Sequence, residues 1–122
     1  MTKLGMKFWK FLCLGIMVGS ISGCYSSPKE VRDEATTRAS FVSSKPPEVL
    51  AGCIAEAWTD GPIIARTDRT AKGWAVTQQA GGAVLLAVAD VVADGKQSTV
   101  NYSSTFTIIS RRDKIPAIER CL

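Results

Sequence analysis

The side chains in this 122-residue chain that have chemistry to offer are four cysteines (Cys13, Cys24, Cys53 and Cys121) and eleven carboxylates; there is no histidine. Without imidazole the usual general base, the commonest neutral metal ligand and every Ser/His or Cys/His nucleophile arrangement are missing. Asp60, Asp68, Asp90, Asp94 and Asp113 are scattered near expected turns, and no two of them stand out as a hydrolytic pair. The run from Asp90 to Gly95 has the outline of a calcium loop but lacks the alternate-position ligands and the closing glutamate. Asp94 reads instead as a turn former. Gly81-Gly82 is followed by no lysine, so no phosphate-cradling loop is present. The sequence therefore assigns no catalytic residue and no metal site. The cysteines carry the information, and their positions decide what each can do.

Cys24 follows a segment with a distinct layout. Residues 1–10 carry Lys3, Lys7 and Lys10 and no acid, residues 11–23 carry no charge, and small residues stand just before the cysteine. A positive start, a short apolar middle and a small-residue cut site are the parts of an export signal. Thirteen residues rise only about 20 Å as a helix. The hydrocarbon core of a bilayer is about 30 Å thick, so a permanent span is the weaker reading. An ordinary secretory signal with an incidental cysteine is the bland alternative.

Ile21-Ser22-Gly23-Cys24 resembles the lipobox of bacterial lipoproteins: a branched aliphatic residue, a small residue, glycine, then cysteine. The resemblance implies cleavage after Gly23 and acyl chains on Cys24, with residues 1–23 removed as the signal peptide. Small side chains at Ser22 and Gly23 admit a protease near the bilayer surface, and a thiolate is a suitable acceptor for the lipid. Two or three chains anchor stably where one does not. Tyr25 and Ser26, rather than an aspartate, follow the cysteine, which by the same resemblance implies the outer membrane of a Gram-negative envelope, on its periplasmic side. No cofactor is expected beyond the covalent lipid.

Net charge is +4, which invites a nucleic-acid reading. Three of the fifteen cations precede the apolar run, however, and from Cys24 onward twelve cations face eleven acids. No basic stripe with interleaved aromatics remains, and nucleic acid is not an expected partner.

Residues 24–45 are rich in Ser, Thr and charge without sustained apolar period, and read as a flexible tether with a reach of about 25 Å. A short helix across Glu30 to Arg38 is compatible with it. From Pro46 the character changes, and residues 46–122 read as one small domain. Val49, Leu50, Cys53, Ile54, Ala57 and Trp58 recur at helical spacing, with Pro46 and Pro47 at the start and Gly61 at the stop. After Pro62 the period shortens to that of four strands, PIIARTD, GWAVTQQ, AVLLAVADVVA and STVNYSSTF. Asp94-Gly95 signals a hairpin and Gly81-Gly82 a break. Trp74 with Val76, Val84 with Leu86 and Val88, and Val100 with Tyr102 mark apolar faces. Arg66, Asp68, Thr77, Asn101 and Ser103 mark an opposite, wet face. Ile115, Ile118 and Leu122 indicate a terminal helix capped by Asp113. The predicted fold is α+β: a four-stranded antiparallel sheet with an N-terminal and a C-terminal helix on one face. Trp58, Trp74 and Tyr102 are expected in its core.

With Cys13 removed and Cys24 lipidated, Cys53 and Cys121 remain in an oxidising compartment, where leftover pairs bridge. A disulfide between them is expected, and a domain of this size benefits from one. The arrangement as a whole resembles small proteobacterial lipoproteins with a polar tether, a C-I-A-E-x-W helix (Cys53 to Trp58) and a terminal cysteine. That resemblance carries no activity and no binding residues; the leading expectation is a non-enzymatic, membrane-anchored accessory that binds an envelope protein. A protective blocker, either an inhibitor of a wall-degrading enzyme or a phage-exclusion lipoprotein, is the alternative, and a small hydrolase is the third reading.

Overall fold

A computed structural model describes residues 27–80 and 84–122. The lipobox-like residues Ile21, Ser22, Gly23 and Cys24 and the expected break at Gly81-Gly82 lie outside the described residues.

The described residues begin with helix α1 (Pro28–Glu34) and strand β1 (Thr37–Ser43), followed by helix α2 (Pro47–Trp58). Strands β2 (Ile64–Arg69), β3 (Gly73–Ala80), β4 (Val84–Asp94) and β5 (Gln97–Ser104) come next. The chain ends in a helical segment, α3, made of a turn at Thr107–Ile109, a π-helical stretch at Ser110–Lys114 and a regular helix at Ile115–Cys121. The sheet is five-stranded and antiparallel, in the order β1-β5-β4-β3-β2. Strands β2 to β5 form a meander, and α2 carries the chain from β1 at one edge to β2 at the other.

The expectation of four strands and of a flexible tether is corrected here for residues 28–43, where the short helix allowed across Glu30 to Arg38 lies at Pro28–Glu34. Residues 28–43 belong to the fold. Ser27 caps α1 by accepting the Glu30 amide on its hydroxyl, Pro28 suits the first turn, and Val31 is fully buried. In β1, Ala39 and Phe41 pack against the core while Arg38, Ser40 and Val42 face outward. Only two apolar inward residues mark this strand, too few to read as a period. Pairing with β5 across seven positions, from Thr37 opposite Ser104 to Ser43 opposite Ser98, makes it a strand.

The main core lies under α2 and α3 on one face of the sheet, as expected. Leu50, Ile54 and Trp58 of α2 and Ile118 of α3 meet Val76, Ala87, Ala89, Val91, Val100 and Tyr102 of the sheet, all essentially without solvent contact. Val49 and Ala57, placed on the buried face by the sequence, are exposed. The helix ends at Thr59, whose amide reaches the Ala55 and Glu56 carbonyls; Gly61, at φ +57°, serves the following turn rather than the stop.

Strand β4 does not face the way its sequence suggests. Its alanines Ala87 and Ala89 and its Val91 look into the main core, whereas Val88 and Leu85 look to the opposite side, where they enclose Val31 of α1. The register explains this. Gln78 lies opposite Ala87 but Gln79 lies opposite Leu85, so β4 carries one extra residue, Leu86, as a bulge that turns Leu85 to the α1 side. The Ser104 hydroxyl donates to the Leu86 carbonyl at 2.6 Å and satisfies the group the bulge frees. A strand covered on both faces reads as one apolar run, and alternation cannot orient it.

The hairpin signalled by Asp94-Gly95 joins β4 to β5, but its two-residue loop is Gly95-Lys96, because Asp94 still pairs with Gln97; Gly95 has φ +62°, which suits the first position of a type II′ turn.

Candidate functional site

The polar face of the sheet is built row by row by strand pairing. One row runs Arg38, Ser103, Val88, Thr77, Arg66; the next runs Ser40, Asn101, Asp90, Ala75, Asp68. All five residues read as the wet face, Arg66, Asp68, Thr77, Asn101 and Ser103, therefore do share one side. The side is not uniformly wet. Ser103 of β5 is buried where α1 lies across β4 and β5 on this face, and Thr77 of β3 is buried too.

Two kinds of contact hold α1 there. Val31 fills the space between Leu85 and Val88. Beside it Arg32 makes a bidentate ion pair with Asp90, Nε to Oδ2 at 2.8 Å and Nη2 to Oδ1 at 2.7 Å. The hydrogen bond to Asp90 holds the Arg32 guanidinium above its ordinary pKa, against the opposing effect of burial. Arg38 then donates from Nη2 to the Arg32 carbonyl at 2.8 Å, closing the free end of α1 onto β1. Asp90, one of the scattered carboxylates, thus has both oxygens engaged in holding the fold.

Two exposed wings flank α1. On the β1 side, Ser40 donates to the Asn101 amide oxygen at 2.8 Å beside Val42, which is 58% exposed. On the β2 side, Arg66 and Asp68 make a long, solvated contact of 3.4 Å next to Ile64, also 58% exposed. These wings present hydrogen-bonding groups, one charge of each sign and two isolated aliphatic side chains to solvent.

The cysteine pair is formed: Cys53 of α2 and Cys121 of α3 are disulfide-bonded, with Cα atoms 5.9 Å apart. The bridge sits at the edge of the core and clamps the two helices together. Around it Ser43 donates to the Leu122 carbonyl and Lys45 to the Cys121 carbonyl, tying the chain end to the β1–α2 junction. Trp58 and Tyr102 are in the core as expected, ring edge to face at 5.9 Å. Trp74 is only half-buried and carries Arg69 over its ring at 5.2 Å.

Of the remaining carboxylates, Asp94 begins the hairpin turn as read, and Asp60 and Asp113 come together on one cleft although 53 positions apart in the chain. Sequence carried no sign of that meeting. Asp113, expected as a helix cap, lies inside the π-helical stretch, since the terminal helix begins six residues earlier at Thr107. Among the described residues no three His, Cys, Asp or Glu side chains are grouped as metal ligands, and no helix is long and apolar enough to cross a membrane. Compared with known proteins, the chain matches no family model, no curated protein and no solved structure.

Proposed function

We propose that this protein is a lipid-anchored accessory of the cell envelope, fastened through Cys24 at the periplasmic side of the outer membrane, that offers the polar sheet face and α1 to a protein partner. The observation that carries the reading is the Ile21-Ser22-Gly23-Cys24 motif after a basic start and a short apolar run. The Cys53–Cys121 bridge supports export, because such bridges persist in oxidising compartments.

The early start of the fold sharpens the picture. With α1 capped at Ser27, only Tyr25, Ser26 and Ser27 separate the anchoring cysteine from the first helix. Three residues reach at most about 10 Å. An anchored domain would therefore lie against the headgroups with the α1 end of its polar face nearest the bilayer, rather than swinging on a long tether. A partner would reach that face from the side, at the membrane surface.

Mass spectrometry of the mature amino terminus tests the anchor. A diacylglyceryl and acyl mass on Cys24 is expected, with loss of membrane association in Cys24→Ala. An unmodified first residue, or full partition into the aqueous phase of a detergent cloud-point separation, would refute it. Photo-crosslinking from Val42 or Asn101 should capture a protein of one mass; recovery of the uncrosslinked chain alone would count against the partner.

A further inference from the structure

A cleft of about 230 Å³ lies between the end of α2 and α3, away from the polar sheet face, lined by Trp58, Thr59, Asp60, Asp113, Lys114 and Arg120 among others. Its four charged side chains enter no ion pair or side-chain hydrogen bond with one another among the described residues. Three of them are exposed, but Lys114 is nine-tenths buried. Its side chain makes no hydrogen bond among the described residues, although it lines the cleft. Among the described residues, the buried polar side-chain atoms left without a partner are Gln78 Oε1 and Thr105 Oγ1, so the Lys114 ammonium is not sealed in. Its stem is buried and its charged end opens on the cleft, and a cation held that way in a concavity is a candidate for binding.

The backbone explains how Lys114 comes to be there. Pro116 has no amide hydrogen and its ring crowds the carbonyl four residues earlier, so the regular ladder cannot run through it. The chain widens instead. The Ile115 amide bonds the Ser110 carbonyl, five residues back, and Ser110–Lys114 forms a π-helical turn. Two buried contacts hold that turn: Tyr102 Oη to Ser110 Oγ at 2.6 Å, and Trp58 Nε1 donating to the Lys114 carbonyl at 3.2 Å. Lys114 is thus positioned by core aromatics, and π-helical turns of this kind occur often at functional sites. Burial pulls the Lys114 ammonium below the ordinary lysine range, with Asp113 and Asp60 acting the other way.

The charges select the ligand class. Two cations and two carboxylates around one cleft sum to zero, so a simple anion meets repulsion from Asp60 and Asp113, and a simple cation meets it from Lys114 and Arg120. A small molecule bearing both signs satisfies all four. The volume is below that of pockets for drug-sized ligands, which argues for something the size of an amino acid or a dipeptide. We propose that this cleft binds a small zwitterion of the amino-acid type, its carboxylate on Lys114 and Arg120 and its ammonium on Asp60 and Asp113. The proposal does not depend on the lipid anchor.

The test is nuclear magnetic resonance titration of the mature full-length chain in detergent micelles with L-alanine and glycylglycine, set against acetate and methylammonium. Saturable shifts at the Asp60, Asp113, Lys114 and Arg120 amides are expected with a zwitterion. Acetate and methylammonium should need at least tenfold more for the same response, and Lys114→Met should weaken zwitterion binding at least tenfold. No saturable shift with either zwitterion, an equal response to acetate alone, or unchanged affinity in Lys114→Met would overturn the proposal. If Lys114→Met perturbs the whole spectrum, the exposed changes Arg120→Gln and Asp60→Asn decide: weaker zwitterion binding in both is expected, and unchanged affinity in both overturns the idea.

Discussion

Arg32 and Asp90 stand 58 positions apart in the chain and meet through two parallel hydrogen bonds, which tie α1 to the central strand of the sheet. Their side chains are 37% and 24% exposed, so solvent screens the attraction in part. Asp90→Asn should destabilise the fold by about 1 kcal/mol, the upper end for a partly solvated pair with bidentate geometry. Arg32→Gln should cost the same and the double variant little more. Chemical denaturation of the four proteins measures the coupling, and additive losses would show that the contact is idle.

Val31 separates the folded amino-terminal segment from a loose tether. Truncation to alanine removes two buried methyl groups between Leu85 and Val88, for a loss of about 1.5–2.5 kcal/mol. A flexible segment would give no change in the unfolding midpoint.

The Cys53–Cys121 bridge closes a loop with a sequence separation of 68. In the chain-entropy account its removal costs about 4 kcal/mol. Cys53→Ser and Cys121→Ser should each lower the melting temperature, and reduction of the wild-type chain should reproduce the drop. Equal stability with and without reductant would contradict the bridge.

Two glycines should respond in opposite senses. A Cβ on Gly73 would sit 2.1 Å from the Val91 carbonyl oxygen across the β3–β4 pair. Gly73→Ala should therefore force these strands apart and cost upwards of ~2 kcal/mol. Gly52 lies on the exposed side of α2 with nothing within 4 Å, and Gly52→Ala should stabilise by about 0.5–1 kcal/mol through helix propensity. Thermal melts of the two variants check the contrast.

Tyr102 gives stability an alkaline limit. Burial holds its phenol above the ordinary tyrosine range, with the Ser110 hydrogen bond acting the other way. The unfolded phenol ionises near pH 10 while the folded one stays protonated, so its contribution is complete below pH 10 and is lost as pH rises beyond it. Lys114 has the opposite sign: its lowered pKa penalises the folded state while charged, and that penalty fades as pH climbs toward 10.5. In a Lys114→Met background, Tyr102→Phe should flatten the fall of unfolding free energy above pH 10. An unaltered slope would refute the assignment.

Local chemistry alone determined much of this protein. Apolar spacing marked α2, Asp94-Gly95 marked its hairpin, and the alternation of Val100 with Tyr102 oriented β5, because each signal is written within a few adjacent residues. Their number and an expected export signal point to the pairing of Cys53 with Cys121, and the structure forms it. Three features waited for the tertiary structure. Strand β1 has too little apolar surface to announce itself and exists because β5 offers an unpaired edge. Strand β4 is covered on both sides, so its apolar run could not say which residues face α1 until the bulge at Leu86 set the register. The meeting of Asp60, Asp113, Lys114 and Arg120 depends on how a proline-widened helix packs against the end of another, and no spacing along a chain encodes that distance.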